Sequence, residues 1–121
     1  MTFQVAVLPG DGIGPEVMEG ALELLDAMAG VAGVSIETST WEAGGSSIDR
    51  HGTPLTEETL AACENADAVL FGSVGGPKWD RRPPDQKPER ALLRLRHALG
   101  LYANVRPAKV YAALAGASSL K

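Results

Sequence analysis

The sequence predicts an α/β protein built on mainly parallel strands. Three observations carry that expectation. Short apolar runs occur at Phe3 to Leu8 and Asp67 to Gly72, and amphipathic helical stretches alternate with them. A third observation is the punctuation, since Gly and Pro gather mainly between these segments.

The elements follow in order. Phe3 to Leu8 is bounded by Pro9-Gly10, as a buried strand is. Pro15 stands where a helix can begin, because the first helical position needs no N–H. Val17, Ala21, Leu24, Leu25 and Met28 form the expected inward stripe of that helix, with Glu16, Glu19, Glu23 and Asp26 opposite. Gly30 and Gly33 end it. Val34 to Thr38 alternates with period two and predicts a second strand. Gly44 to Ser47 reads as a loop leading into a polar connection. Thr56 is the expected cap of the next helix, with Glu57 and Glu58 in its first turn. Asp67 to Gly72 is a third strand, and Gly75 to Pro88 a long loop. Glu89 to Leu99 returns to helical spacing, with Leu92, Leu95 and Leu99 on one stripe. Tyr102 to Tyr111 predicts a fourth strand, interrupted at Pro107. Ala112 to Lys121 offers no closing element, so the sequence reads as stopping short of a finished domain.

Of 121 residues, 45% are apolar and 21% charged, the balance of a folded chain. No apolar run approaches about 18 residues, which gives no expectation of a membrane span. The first residues lack the basic and apolar regions of a secretory signal. A single cysteine, Cys63, excludes an internal disulfide framework. Together these features predict a cytoplasmic protein. The net charge of −4 disfavours nucleic acid as a partner but hides a polarity. Residues 1–67 carry one basic side chain, Arg50, against twelve acidic ones, whereas residues 78–96 carry seven basic ones. Such a stretch can be offered to an anionic ligand.

Three segments bear on chemistry. Leu8 to Pro15 (LPGDGIGP) lies between strand and helix, where backbone N–H groups can cradle an anion. Pro15 replaces the third glycine of a dinucleotide fingerprint, and no Gly-Lys-Ser/Thr follows, so the segment reads first as a tight structural turn. Gly72 to Asp80 (GSVGGPKWD) leaves the carboxyl end of a buried strand, where open α/β sheets bind ligands. Composition leaves a ligand loop and a mobile solvated loop equally open there. Arg96 and Arg106, on adjacent elements, could grip two carboxylates through their planar forks. Arg94 reads as part of a solvated helix face. Arg106 interrupts an apolar stretch and would need a partner if buried. His51 and His97 lack ligand spacing and read as surface residues. Cys63 reads as a buried structural thiol, and Trp41 and Tyr102 as core residues.

The strings Val5 to Val17 (VAVLPGDGIGPEV) and Asp67 to Asp80 (DAVLFGSVGGPKWD) keep their order with a third group. That group is Leu92-Leu93-Arg94-Leu95-Arg96 followed by Leu101 to Lys109 (LYANVRPAK). Together they resemble the N-terminal third of the isocitrate/isopropylmalate dehydrogenase family, its isopropylmalate branch in particular. The first string is shared with isocitrate, homoisocitrate and tartrate dehydrogenases, whereas GSVGGPKWD followed by LLxLR is narrower.

The resemblance implies an isopropylmalate dehydrogenase-like layered fold, not the usual Rossmann domain, with residues 1–121 as its truncated N-terminal segment. It implies NAD-dependent oxidative decarboxylation of (2R,3S)-3-isopropylmalate to 2-oxoisocaproate in leucine biosynthesis, with Mg²⁺ or Mn²⁺, by a cytoplasmic homodimer. Arg96 and Arg106 would hold the malate carboxylates, and Leu92 and Leu93 would wall the isopropyl group at about 0.8 kcal/mol per buried CH₂. The loop of Gly76, Pro77, Lys78, Trp79, Asp80, Arg81, Arg82, Pro83, Pro84, Asp85, Gln86, Lys87, Pro88 and Glu89 would contact the cofactor, with Glu89 near the nicotinamide. The catalytic tyrosine and lysine and the metal-binding aspartates would lie beyond Lys121, which leaves no catalytic or metal residue here and an inactive segment. Homoisocitrate or tartrate dehydrogenase is the alternative within the class, and a stand-alone anion-binding α/β module the alternative outside it.

Overall fold

A computed structural model describes residues 1–117. Its elements are β1 (Thr2–Gly10), α1 (Gly14–Ala32), β2 (Ser35–Thr40), α2 (Gly45–His51), α3 (Glu57–Asn65), β3 (Ala68–Ser73) and α4 (Glu89–Ala98). Short 3₁₀ turns occur at Pro84–Gln86 and Ala112–Ala117. The strands form one parallel sheet in the order β2-β1-β3. None of the described helices is long and apolar enough to cross a membrane.

β1 holds the centre because it is apolar on both faces. Val5 and Val7 pack with Met18 of α1 on one side. Ala6 and Leu8 pack with Ala43, Leu55, Cys63, Ala91 and Leu95 on the other. Fully burying a side chain such as Leu8 or Val7 is worth about 1.5–3 kcal/mol. The connection β1–α1–β2 runs one way across the sheet, and the return through α2 and α3 to β3 runs the other. Right-handed crossovers in opposite directions place their helices on opposite faces, which yields three layers. α4 packs on the same face as α3.

Several expectations need correction. The fourth strand does not form: residues 101–111 are exposed and adopt no regular structure, and Tyr102 is exposed rather than in the core. β propensity acts only against a half-buried pleated surface, and no strand pairs with this segment among the described residues. The inward face of α1 is turned from the expected one. Met18 and Ala29 are buried with Ala21 and Leu22 packed beside them, while Val17, Leu24 and Met28 stand 58%, 63% and 55% exposed. The helix carries two apolar stripes, and its amino end decides between them, since Gly14 is wedged against the Pro9 and Ser73 backbones. The supposed loop and polar connection after Gly44 contains a helix of two turns, α2. Of the stretch 112–121, where no closing element is expected, Ala112–Ala117 forms only a short 3₁₀ turn and 118–121 lies outside the described residues.

Other expectations hold. Gly33 ends α1 in the left-handed conformation (φ 66°), with the Val34 N–H donating to the Ala29 carbonyl. Cys63 is buried, and that burial pushes its thiol pKa up, as for a structural cysteine. Trp41 packs half-buried against the core.

Thr56 caps α3, its hydroxyl oxygen accepting from the Thr59 N–H at 3.1 Å. Thr56→Ala should therefore lower stability by about 1 kcal/mol, read as a shift in urea midpoint, and Thr56→Ser should restore most of it. An unchanged midpoint in the alanine variant would remove the cap from the account.

Candidate functional site

The order β2-β1-β3 makes the carboxyl ends of β1 and β3 the place where the winding reverses. In open α/β sheets, ligands bind outside the strands at such a point. Here the loops after β1 and β3 meet in direct backbone contact. The Asp11 N–H donates to the Ser73 carbonyl at 2.9 Å. Gly10 allows this approach, having φ +83° and a position where a Cβ would lie 2.0 Å from the Ser73 oxygen. The glycines of LPGDGIGP thus serve the packing of two strand ends, in agreement with a tight structural turn.

Asp11 then ties in a third segment. Its carboxylate is buried, with Oδ2 accepting from the Gly45 N–H at 2.5 Å and Oδ1 from the Gly75 N–H at 2.9 Å. One side chain therefore holds the β1 turn, the start of α2 and the loop after β3.

That loop is ordered from end to end by its own turns. The Trp79 N–H donates to the Gly76 carbonyl, Arg82 to Trp79, and Gln86 to Pro83. Trp79 and Pro88 are buried and anchor it; Gly76, Arg82 and Lys87 are half-buried. Pro77, Lys78, Asp80, Arg81, Pro83, Pro84, Asp85, Gln86 and Glu89 are exposed. The Trp79 ring lies on Gly45, where a Cβ would fall 2.3 Å from it. Asp49 of α2 accepts from Lys78 Nζ at 2.5 Å and from the Trp79 indole N–H at 3.2 Å. Those two bonds, Lys78 first, hold the Asp49 carboxyl below the ordinary aspartate range. The Glu89 carboxylate lies against Gly75, bringing the first turn of α4 to the start of the loop.

α4 buries Ala91 and Leu95 and turns another face outward. Glu89, Leu92, Leu93 and Arg96 follow i, i+3, i+4, i+7 spacing and share one side of the helix. Leu92 and Arg96 are half-buried, and Leu93 is exposed. Arg106 lies in the exposed segment after α4 and makes no hydrogen bond or ion pair among the described residues, so the structure does not join it to Arg96. Arg94 is exposed, as expected of a solvated helix face, and in addition its guanidinium donates to the Leu55 carbonyl at 2.9 Å and pairs with Glu57, fastening α4 to the start of α3. A cleft of about 510 Å³ opens on this adjoining flank, between Thr53–Pro54 and Leu93, Arg94 and His97. His51 and His97 are surface residues, the former paired with Glu42. Among the described residues no cluster of three His, Cys, Asp or Glu side chains could hold a metal ion.

The profile of the isocitrate/isopropylmalate dehydrogenase family matches residues 4–121. The chain belongs to that family. Its curated relatives include proteins named 3-isopropylmalate dehydrogenase. That of Chlorobaculum tepidum is 54% identical over the whole chain and 34% of the relative. That of Geobacter metallireducens is 58% identical over 98% of the chain and 33% of the relative. The chain therefore spans about a third of the length of these relatives. Among solved structures of the family, a β-decarboxylating dehydrogenase from Thermococcus kodakarensis superposes with TM-score 0.66 at 39% identity. That match covers 83% of the chain and 27% of the other protein. An isocitrate dehydrogenase from Methylococcus capsulatus gives the same TM-score at 28% identity, over 83% of the chain and 26% of the other protein.

Sequence reasoning missed Asp11 and Asp49 as organising groups. Asp11 was visible only as an acid in a glycine-rich turn, because its partners are backbone N–H groups that any residue supplies. Asp49 belonged to a helix that had not been predicted.

Two outcomes follow from the loop anchors. Asp11→Ala leaves the buried Gly45 N–H and the half-buried Gly75 N–H without acceptors, and should cost about 2–4 kcal/mol in urea unfolding. Asp11→Asn should recover only part, since its amide NH₂ must face one of those donors. For Asp49, a folded-state pKa below the ordinary value of about 3.9 means the contact is intact at neutral pH and is lost as pH falls below about 4. In a Trp41→Phe background, Trp79 emission should hold steady above that pH and move to the red below it. The step should be missing in Asp49→Asn.

Proposed function

We propose that the protein carrying this chain oxidises 3-isopropylmalate at its hydroxyl carbon with NAD and decarboxylates the resulting β-keto acid. One observation carries the reading. The chain is 54–58% identical to proteins named 3-isopropylmalate dehydrogenase along nearly all of its length. On this reading residues 1–121 are the N-terminal segment of the family's domain.

The geometry supports distinct tasks for these residues. Arg96 stands on the same side of α4 as Leu92 and Leu93, so a carboxylate held by its fork would present an aliphatic substituent to the two leucines. An apolar wall there suits an isopropyl group, whereas a third carboxylate would need a polar partner. Arg106 would supply the second carboxylate grip once its segment is packed by the rest of the protein. The ordered loop of residues 76–89 would hold the nicotinamide cofactor through its exposed backbone and side chains, with Glu89 at its inner end beside Gly75. When bound, NAD accepts the hydride from the hydroxyl carbon. The described residues do not form a Mg²⁺ or Mn²⁺ site, so we assign the metal's ligands, together with the catalytic acid and base, to the remainder of the protein. The net charge of −4 disfavours nucleic acid as a partner, and membership of this family implies a cytoplasmic homodimer acting on a small molecule away from membranes.

The test is NADH formation by the full-length protein with 3-isopropylmalate, compared with isocitrate, homoisocitrate and tartrate. Preference for 3-isopropylmalate is expected, and preference for another acid overturns the assignment. Leu92→Ser should weaken discrimination in favour of the isopropyl substrate by about 1–3 kcal/mol while leaving malate nearly unaffected. A parallel loss on both would mean that Leu92 supports the fold.

A further inference from the structure

We propose that Asp49 of α2 is the positioning residue for the loop after β3, acting through Lys78 and Trp79 to set that loop for the nicotinamide cofactor. The proposal rests on the reading of residues 76–89 as the cofactor loop.

The argument begins with α2. It is only seven residues long, and its first N–H groups must find acceptors outside the helix. The Gly45 N–H finds one in Asp11, which also holds the Gly75 N–H. Gly45 and Asp49 are i and i+4, so they lie one above the other on the helix side that meets the loop. The Trp79 ring covers Gly45, and its indole N–H reaches along that side to Asp49 Oδ1 at 3.2 Å. Lys78 Nζ takes the other oxygen at 2.5 Å and stands 5.2 Å from the centroid of the Trp79 ring. α2 is thus a splint along the loop, tied by Asp11 at one end and by Asp49 at the other.

Both oxygens of Asp49 are engaged by consecutive loop residues. That fixes where Trp79 sits and which way the chain leaves toward Asp80 and the exposed Arg81. Exposed ion pairs contribute little to stability. Lys78 and Asp49 are exposed, so what this contact supplies is placement of the loop rather than integrity of the fold. Arg96 and Leu92 belong to α4, which is held separately, by its core residues and by Arg94 on Leu55 and Glu57. Loosening Asp49 should therefore move the cofactor side of the site and leave the acid side in place.

The experiment uses the full-length protein with Asp49→Asn, Asp49→Ala, Lys78→Met and Trp79→Phe, measuring KM for NAD and for 3-isopropylmalate separately. Asp49→Asn keeps an acceptor for the indole and loses the ion pair, so it separates the two contacts. Asp49→Ala is expected to raise KM for NAD about tenfold, with KM for the acid within about twofold. Asp49→Asn and Lys78→Met should give intermediate and similar rises. Unchanged constants, or equal rises for both substrates, overturn the proposal. If the unsubstituted protein does not turn over 3-isopropylmalate, the functional reading fails on its own account. The positioning claim is then decided by direct NAD titration of Trp fluorescence: weaker binding in Asp49→Ala than in the unsubstituted protein supports it, and equal binding overturns it.

Discussion

Asp11 sits in a turn whose neighbours come from distant parts of the sequence, and its buried carboxylate is the acceptor that Gly45 and Gly75 share. The Gly45 and Gly75 N–H groups point at its two oxygens, while its own N–H reaches the Ser73 carbonyl. The buried Gly45 N–H and the buried carboxylate would otherwise lack partners, a cost of about 1–3 kcal/mol for each such group. The charge is held by backbone dipoles alone, so the arrangement demands close approach more than any particular neighbouring side chain. This is why glycine occurs where β1 and β3 converge and where α2 begins. The sheet brings the strand ends together, and Asp11 makes their loops one body.

From that junction the two sides of the site are held by separate means. The loop after β3 is braced along α2, through Trp79 on Gly45 and through Asp49. The face of α4 bearing Leu92, Leu93 and Arg96 is braced by Ala91 and Leu95 in the core and by Arg94 on α3. Glu89, lying against Gly75, is the point where the two supports touch. On the function proposed above, one side takes a nucleotide and the other a hydroxy acid, and independent supports would let each keep its geometry while the other adjusts.

Much of this was legible in the sequence, and the exceptions share a physical cause. A central parallel strand is apolar on both faces, so β1 announced itself as a continuous apolar run, and α4 and the Thr56 cap followed from spacing and side-chain chemistry. Within α4 the spacing placed Leu92 on a stripe with Leu95 and Leu99, and the outward side shared by Glu89, Leu92, Leu93 and Arg96 emerged only with the structure. α2 could not, because seven residues carry too little periodicity and its ends are fixed by groups far away in the chain. α1 has two apolar stripes, and sequence alone gives no reason to prefer one until Gly14 is seen wedged against Pro9 and Ser73. Tyr102 to Tyr111 has strand-like composition but pairs with no strand among the described residues, and composition cannot supply that pairing. Asp11 was hidden because backbone donors leave no mark in the sequence.

The contact between Asp11 and Gly75 joins residues 64 positions apart. A ribosome adding about 5–20 residues per second needs roughly 3–13 s to make that span. Throughout that interval the turn after β1 has no acceptor geometry to adopt, and the apolar run Val5 to Leu8 waits for β3 and α4. The amino-terminal segment is therefore made first and finished late. When its core closes is thus a matter of translation timing as much as of equilibrium stability.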